Sequence, residues 1–383
     1  MKLFRQSRII LLITASLLVL ACQGEKFHDN LSVTTRSQTG LAKGGYTFVL
    51  IKANAGWSLT MDFMGAAPWA TLTQTSGSGE NNGVILTYDA NETSSQRSLK
   101  LILSNDNDHV SCTFVQLTAS GVGSLVQDPV PNWLELPATD SKSLYFFTHY
   151  KNKGTLSKER NYSYYWDVEH LVAHWVAYPL NVGLIGNGSR TDAWGLDPKL
   201  PRNMQPVLNK GFRGGYDRGH QLPSADRLSR EANIQTFYGT NMTPQIGSLN
   251  QYGWAALEGA VRTWGRGFDT LYVVTGCLVD GTMGVAYDND DKAVTVPSAY
   301  FKALLGYQKN PTVGIAPTTG GFTSIGFFFP HEKYSGDYME KSMTIDELEH
   351  ETGIDFFVNL PAKIGESLAA KVESTDDPWW RQK

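Results

Sequence analysis

Apolar and polar positions follow two different rhythms along this chain, and the change between them divides it. Between about residues 37 and 120 the apolar positions come in short runs at 46–51, 84–88, 99–103 and 110–117. Each reads as a strand. Gly44-Gly45, Ser76-Gly77-Ser78-Gly79, Asn81-Asn82-Gly83 and Asn105-Asp106-Asn107 supply the turns between them. Short strands at regular spacing predict a small all-β sandwich. Glycine, serine and two prolines then fill 121–132, as in a linker. From 133 to 383 the pattern is mixed. Residues 173–178 alternate like a strand, and 271–275 and 325–329 are apolar and β-rich, as central strands are. Residues 249–262 fit a helix with Ser248 as its N-cap, although Gly253 and Gly259 weaken it. The pattern therefore predicts an α+β domain preceded by an all-β one.

The first 36 residues behave differently. Lys2, Arg5 and Arg8 precede an apolar run at 9–20 that is too short to span a bilayer comfortably. The run ends in Val19-Leu20-Ala21-Cys22, which resembles a bacterial lipobox. The resemblance implies that 1–21 is a lipoprotein signal peptide cleaved before Cys22. Lipid on that thiol would then anchor the protein to a membrane of the bacterial cell envelope. A plain secretory signal is the alternative. Residues 22–36 read as a polar tether.

Composition narrows the function. The 383 residues are 41% hydrophobic, enough for a sizeable core. A net charge of −4 exerts no overall pull on nucleic acid, so any such site must be local. Arg202, Lys210, Arg213, Arg218, Arg227 and Arg230 outnumber Asp217, Asp226 and Glu231 in one stretch. Apart from Cys22, only Cys112 and Cys277 remain, in separate domains; both read as buried thiols, and no Cys-x-x-Cys pair suggests structural zinc.

The candidate chemistry lies in Asp217-Arg218-Gly219-His220 and in Asn250, Trp254 and Glu258 downstream. On a regular strand Arg218 and His220 share a face, unless Gly219 kinks it. On one continuous helix Asn250, Trp254 and Glu258 fall at i, i+4 and i+8, again on one face. Histidine is a natural base near neutral pH. Arginine pairs with phosphate oxygens. An amide oxygen is a hard ligand suited to Mg²⁺, and a carboxylate two turns away can order metal-bound water. These are the parts needed to break a phosphodiester. His170 and His174 would pair as metal ligands on a helix, but 168–178 reads as turn and strand. Asp288-Asn289-Asp290-Asp291 reads as a solvated turn or a Ca²⁺ loop.

Asp217-Arg218-Gly219-His220, Asn241-Met242-Thr243-Pro244-Gln245 and Leu249-Asn250-Gln251 with Trp254 and Glu258 resemble the DNA/RNA non-specific endonuclease family of the ββα-metal type. Ser189-Arg190-Thr191-Asp192-Ala193-Trp194, Tyr272-Val273-Val274-Thr275-Gly276, Val296-Pro297 and Phe301-Lys302 extend the likeness over about 133–365. It implies a central antiparallel sheet flanked by helices. It also implies cleavage of DNA and RNA with Mg²⁺, or Mn²⁺ as the other candidate ion, to 5′-phosphorylated products. In that likeness His220 is the base, Asn250 the sole direct protein ligand of the metal, and Glu258 holds water in the metal shell. Arg218 and Arg190 stabilise the transition state, and Asp217 is structural, orienting backbone near the motif. Two rival readings are a catalytically weak surface-binding lipoprotein and a phosphodiesterase for small substrates. Residues 37–120 resemble a BACON domain, through Trp57, Trp69-Ala70-Thr71-Leu72, Ser76 to Gly79, Asn91, Arg97-Ser98-Leu99 and Val115-Gln116. That likeness implies carbohydrate contact or a spacer role, with Trp57 and Trp69 either core residues or sugar-stacking platforms.

Overall fold

The structure is a computed structural model. It describes residues 31–381, apart from 37–38, 41, 43, 94–95, 107, 118–126, 140–143, 154–156 and 282. The expected signal peptide and Cys22 therefore lie outside the described residues. Among the described residues, no helix is long and apolar enough to cross a membrane.

The N-terminal segment folds as two sheets around one core. One sheet holds Ser32–Thr35, Gly45–Lys52, Asn81–Tyr88 and Ala70–Leu72; the other holds Thr39–Gly40, His109–Gln116, Arg97–Ser104, Gly56–Asp62 and Ser76–Ser78. Alternate residues point inward, so Val49, Ile51, Val84 and Leu86 of one sheet meet Leu59, Leu99, Leu101 and Phe114 of the other. The strand Ser32–Thr35 extends this unit into the expected tether. Trp57 and Trp69 are each 4% exposed and belong to the core, so neither ring offers a stacking face for a sugar.

The second domain is built on a seven-stranded sheet in which every neighbouring pair is antiparallel. Its order is Tyr145–Lys153, Ser157–Asp167, Val172–Leu180, Thr270–Leu278, Ala299–Tyr307, Phe322–Pro330 and Ser342–Met343. Strand periodicity sends Tyr164, Trp166, Val176 and Tyr178 to one face and Tyr165, Trp175 and Ala177 to the other. The second face is covered by the helices Ile345–Thr352 and Glu366–Ser374 through Leu348 and Val372. The first face is covered by the helix Gly253–Gly267 through Trp254, Leu257 and Val261. The domain also begins earlier than 133. Asp128 donates its N–H to Phe146 O, and its carboxylate accepts from Thr148 N and from Lys199 Nζ.

The expected helix over 249–262 is not continuous. Gly247–Asn250 forms one short helix and Gly253–Gly267 another. The backbone of Tyr334 enters the break: its N–H donates to Ser248 O, and its carbonyl accepts from Gly253 N. Those are groups that an unbroken helix would have paired internally. A Cβ at residue 253 would come within 3.0 Å of the Tyr334 carbonyl oxygen, so glycine permits the approach. Ser248 is consequently not an N-cap; Ile246 precedes the first helix, with no side-chain cap.

Candidate active site

The site begins at a two-stranded antiparallel ribbon, Asp217–His220 paired with Met242–Gln245. Gly219 does not kink it. A Cβ there would meet Gln245 Cβ at 2.7 Å, so glycine lets the two strands close and keep their register. Arg218 and His220 consequently share a face, and both line one cleft of about 540 Å³. Asn241 secures the strand's exit. Its carbonyl accepts from Gln221 N, its side-chain oxygen accepts from Leu222 N, and its Nδ2 donates to Leu222 O.

All five expected site residues reach this cleft: His220, Arg218, Arg190, Asn250 and Glu258. Trp254, the third member of the proposed helical face, does not. It is 1% exposed and packs on Tyr300 and Phe329. The break before Gly253 gives Asn250 its own short helix, so Asn250 and Glu258 converge on the cleft from two elements.

His220 is held edge-on by Trp194 and Phe237. Its ring hydrogen-bonds the Arg218 backbone, which favours the protonated ring nitrogen, and its Nε2 has no hydrogen-bond partner among the described residues. The lone pair on Nε2 is thus the free one. Burial first, and then the nearby Arg190 guanidinium, pull this imidazole down to about 3, so it is neutral throughout the physiological range.

Asp217 has a sharper role than orienting backbone. Its Oδ2 accepts from Asn250 Nδ2 at 3.0 Å and from Gln251 Nε2 at 2.7 Å. A carboxylate facing the amide commits the –NH₂ end and turns the oxygen of Asn250 the other way. That oxygen suits a hard divalent cation, so the residues fit the metal that the sequence suggests.

Four cations rim the cleft. Arg218 stacks 3.6 Å above the Trp194 ring and donates from Nη1 to Leu208 O. Arg190 donates to Asp192 Oδ1 and to Ser224 Oγ. Lys210 and Arg262 complete the rim. Arg262 was missed in the sequence reading. It lies one turn beyond Glu258 on the same helix and pairs with Asp226 at 3.0 Å, so the i, i+4 step from Glu258 was its signal. Arg227, counted among the basic residues, is instead buried: it binds Asn161 Oδ1 and the carbonyls of Asn161 and Pro179.

Beneath Glu258 lies Lys302, fully buried, with Nζ 2.7 Å from Thr275 Oγ1 and 4.6 Å from the Trp254 ring centroid. Burial raises the Glu258 carboxyl and the Lys302 charge opposes that; burial lowers Lys302 and Glu258 opposes that. Each charge supports the other.

The remaining candidates fall outside the cleft. His170 lies in the turn after Ser157–Asp167 and His174 in the next strand, as the pattern predicted. Asp288 is a structural turn: it accepts from the backbones of Val207, Asp290 and Lys292 and pairs with Lys292 Nζ.

Comparison with known proteins identifies the family. Residues 142–363 match the profile of a family described as DNA/RNA non-specific endonuclease. A nuclease of Nostoc sp. is 34% identical over 205 residues, spanning 53% of this chain and 73% of that protein. A mitochondrial nuclease of Saccharomyces cerevisiae is 28% identical over 221 residues, 54% of this chain and 64% of its own length. A nuclease of Serratia marcescens is 32% identical over 206 residues, 52% of this chain and 73% of its own.

Proposed function

Because the chain belongs to the DNA/RNA non-specific endonuclease family, we propose that it hydrolyses the phosphodiester backbone of both DNA and RNA, with His220 as general base and Mg²⁺ held by Asn250. The observation that carries this reading is the shared cleft: it is lined both by His220, whose Nε2 has no hydrogen-bond partner among the described residues, and by Asn250, whose amide Asp217 orients. His220 takes a proton from the attacking water at Nε2, while the Arg218 backbone holds its other ring nitrogen. Arg218 and Arg190 stabilise the charge that builds on the phosphoryl oxygens. Glu258, raised to about 7 by burial against the opposing charges of Lys302 and Arg262, orders water in its anionic form. A Mg²⁺ or Mn²⁺ ion bound through Asn250 would polarise the phosphate and neutralise the departing 3′ oxygen. A cationic rim reads backbone, so cleavage should show little sequence preference.

The same reading covers location. Val19-Leu20-Ala21-Cys22 supports a lipid anchor in the bacterial envelope, with the β-domain as a stalk or a carbohydrate-contacting module. Digestion of plasmid DNA and of structured RNA with Mg²⁺, with Mn²⁺ and with EDTA tests the activity. Both polymers should be cut and EDTA should stop it. Cleavage of a small aryl phosphodiester with neither polymer cut would favour the small-substrate reading.

A further inference from the structure

We propose that Asp167, His170 and His174 form a second metal site, for a late first-row ion such as Zn²⁺, whose binding Arg36 of the β-domain opposes by fixing the tautomer of His170. None of the three lines the nuclease cleft, and the inference does not depend on the nuclease mechanism.

The three ligand atoms lie within 4.8 Å of one another. Asp167 closes the strand Ser157–Asp167, His170 sits in the turn, and His174 is the third residue of Val172–Leu180. Asp167 Oδ2 is 2.6 Å from His170 Nδ1 and 2.9 Å from His174 Nε2. Its other oxygen accepts from the backbones of Glu169 and His170, which fixes the carboxylate. Asp167 and His170 are buried, whereas the His174 side chain is 27% exposed, so an ion can enter past His174. Two imidazoles and one carboxylate favour zinc-like ions over Mg²⁺, which prefers an all-oxygen shell.

Arg36 opposes the ion from the far side of the His170 ring. Its Nη1 lies 3.1 Å from His170 Nε2. Arginine can only donate, so His170 Nε2 must accept and the ring proton must sit on Nδ1, toward Asp167. A metal on Nδ1 would shift that proton to Nε2, where it would face the guanidinium N–H. Arg36 and the ion are therefore mutually exclusive. With Arg36 withdrawn, the buried Asp167 carboxylate loses a cationic neighbour, whose charge a divalent ion restores.

Equilibrium dialysis of the full mature chain against Zn²⁺ in millimolar Mg²⁺, with metal counted by mass spectrometry, tests this. Wild type and Asn250→Ala should retain one Zn²⁺. His174→Ala should lose it while unfolding at the wild-type temperature. Arg36→Gln should bind about tenfold tighter or more. Zinc retained equally by His174→Ala, or by neither wild type nor Arg36→Gln, would overturn the site. Equal affinity in wild type and Arg36→Gln would overturn the opposition by Arg36. Asp167→Asn gives a second ligand variant if His174→Ala fails to fold.

Discussion

Asp217 and Asn250 are joined by a hydrogen bond of 3.0 Å from the amide Nδ2 to the carboxylate Oδ2. The first stands on the ribbon and the second on the short helix after it, so the bond ties the strand that carries His220 to the amide proposed to hold the metal. Asp217→Ala should leave the fold intact and free the amide to rotate. Removing a partner that orients a metal ligand typically costs about 10–100-fold in affinity or activity. The Mg²⁺ midpoint of initial rates should rise by that order, with the rate partly restored at saturating Mg²⁺. An unchanged midpoint would mean that something else orients Asn250.

Lys302 is the buried counter-charge of Glu258. Lys302→Met removes it, and methionine can fill the same space among Tyr300, Leu304 and Trp254. Without that charge Glu258 rises further, so more of it is protonated at pH 7. Activity should fall at neutral pH and recover as pH rises toward 9. A rate–pH profile that parallels wild type contradicts the coupling.

The depressed His220 makes a stability prediction independent of catalysis. In the unfolded chain histidine titrates near its ordinary 6.5, and in the folded protein near 3. Between those values the unfolded state binds a proton that the native state refuses. Stability should therefore fall as pH drops from 6.5 toward 3, by up to about 1.4 kcal/mol per pH unit from this group. His220→Gln removes that loss. Urea midpoints at pH 7 and pH 4.5 should converge in the variant relative to wild type. An identical pH-dependent drop in both proteins would show that His220 is not held neutral.

Dispensability of the β-domain follows from the packing. A truncation beginning at Gln127 keeps the contacts of Asp128 with Phe146, Thr148 and Lys199, which a start at Trp133 would lose. It should digest DNA within several-fold of the mature chain. A folded but inactive truncation would assign the β-domain a part in the cleft.

Much of the fold was legible because strand and helix periods are local. Residues 173–178 and 325–329 lie in the sheet, and Arg218 and His220 share a face. What was hidden depended on distant partners. The break at Gln251-Tyr252 is held by the backbone of Tyr334, more than eighty residues on, and periodicity carries no trace of it. Arg227 looked like surface charge because its partners, Asn161 and Pro179, lie on other strands. Asp217 looked structural; only the folded ribbon shows that it turns the Asn250 amide.

The role of His220 is the centre of the account. His220→Ala should keep the wild-type circular dichroism spectrum and lose plasmid nicking by about 10²–10⁴-fold, the usual cost of a lost general base. The assay belongs at saturating Mg²⁺, so that metal binding does not limit either protein. A folded His220→Ala protein that nicks plasmid at the wild-type rate would contradict it.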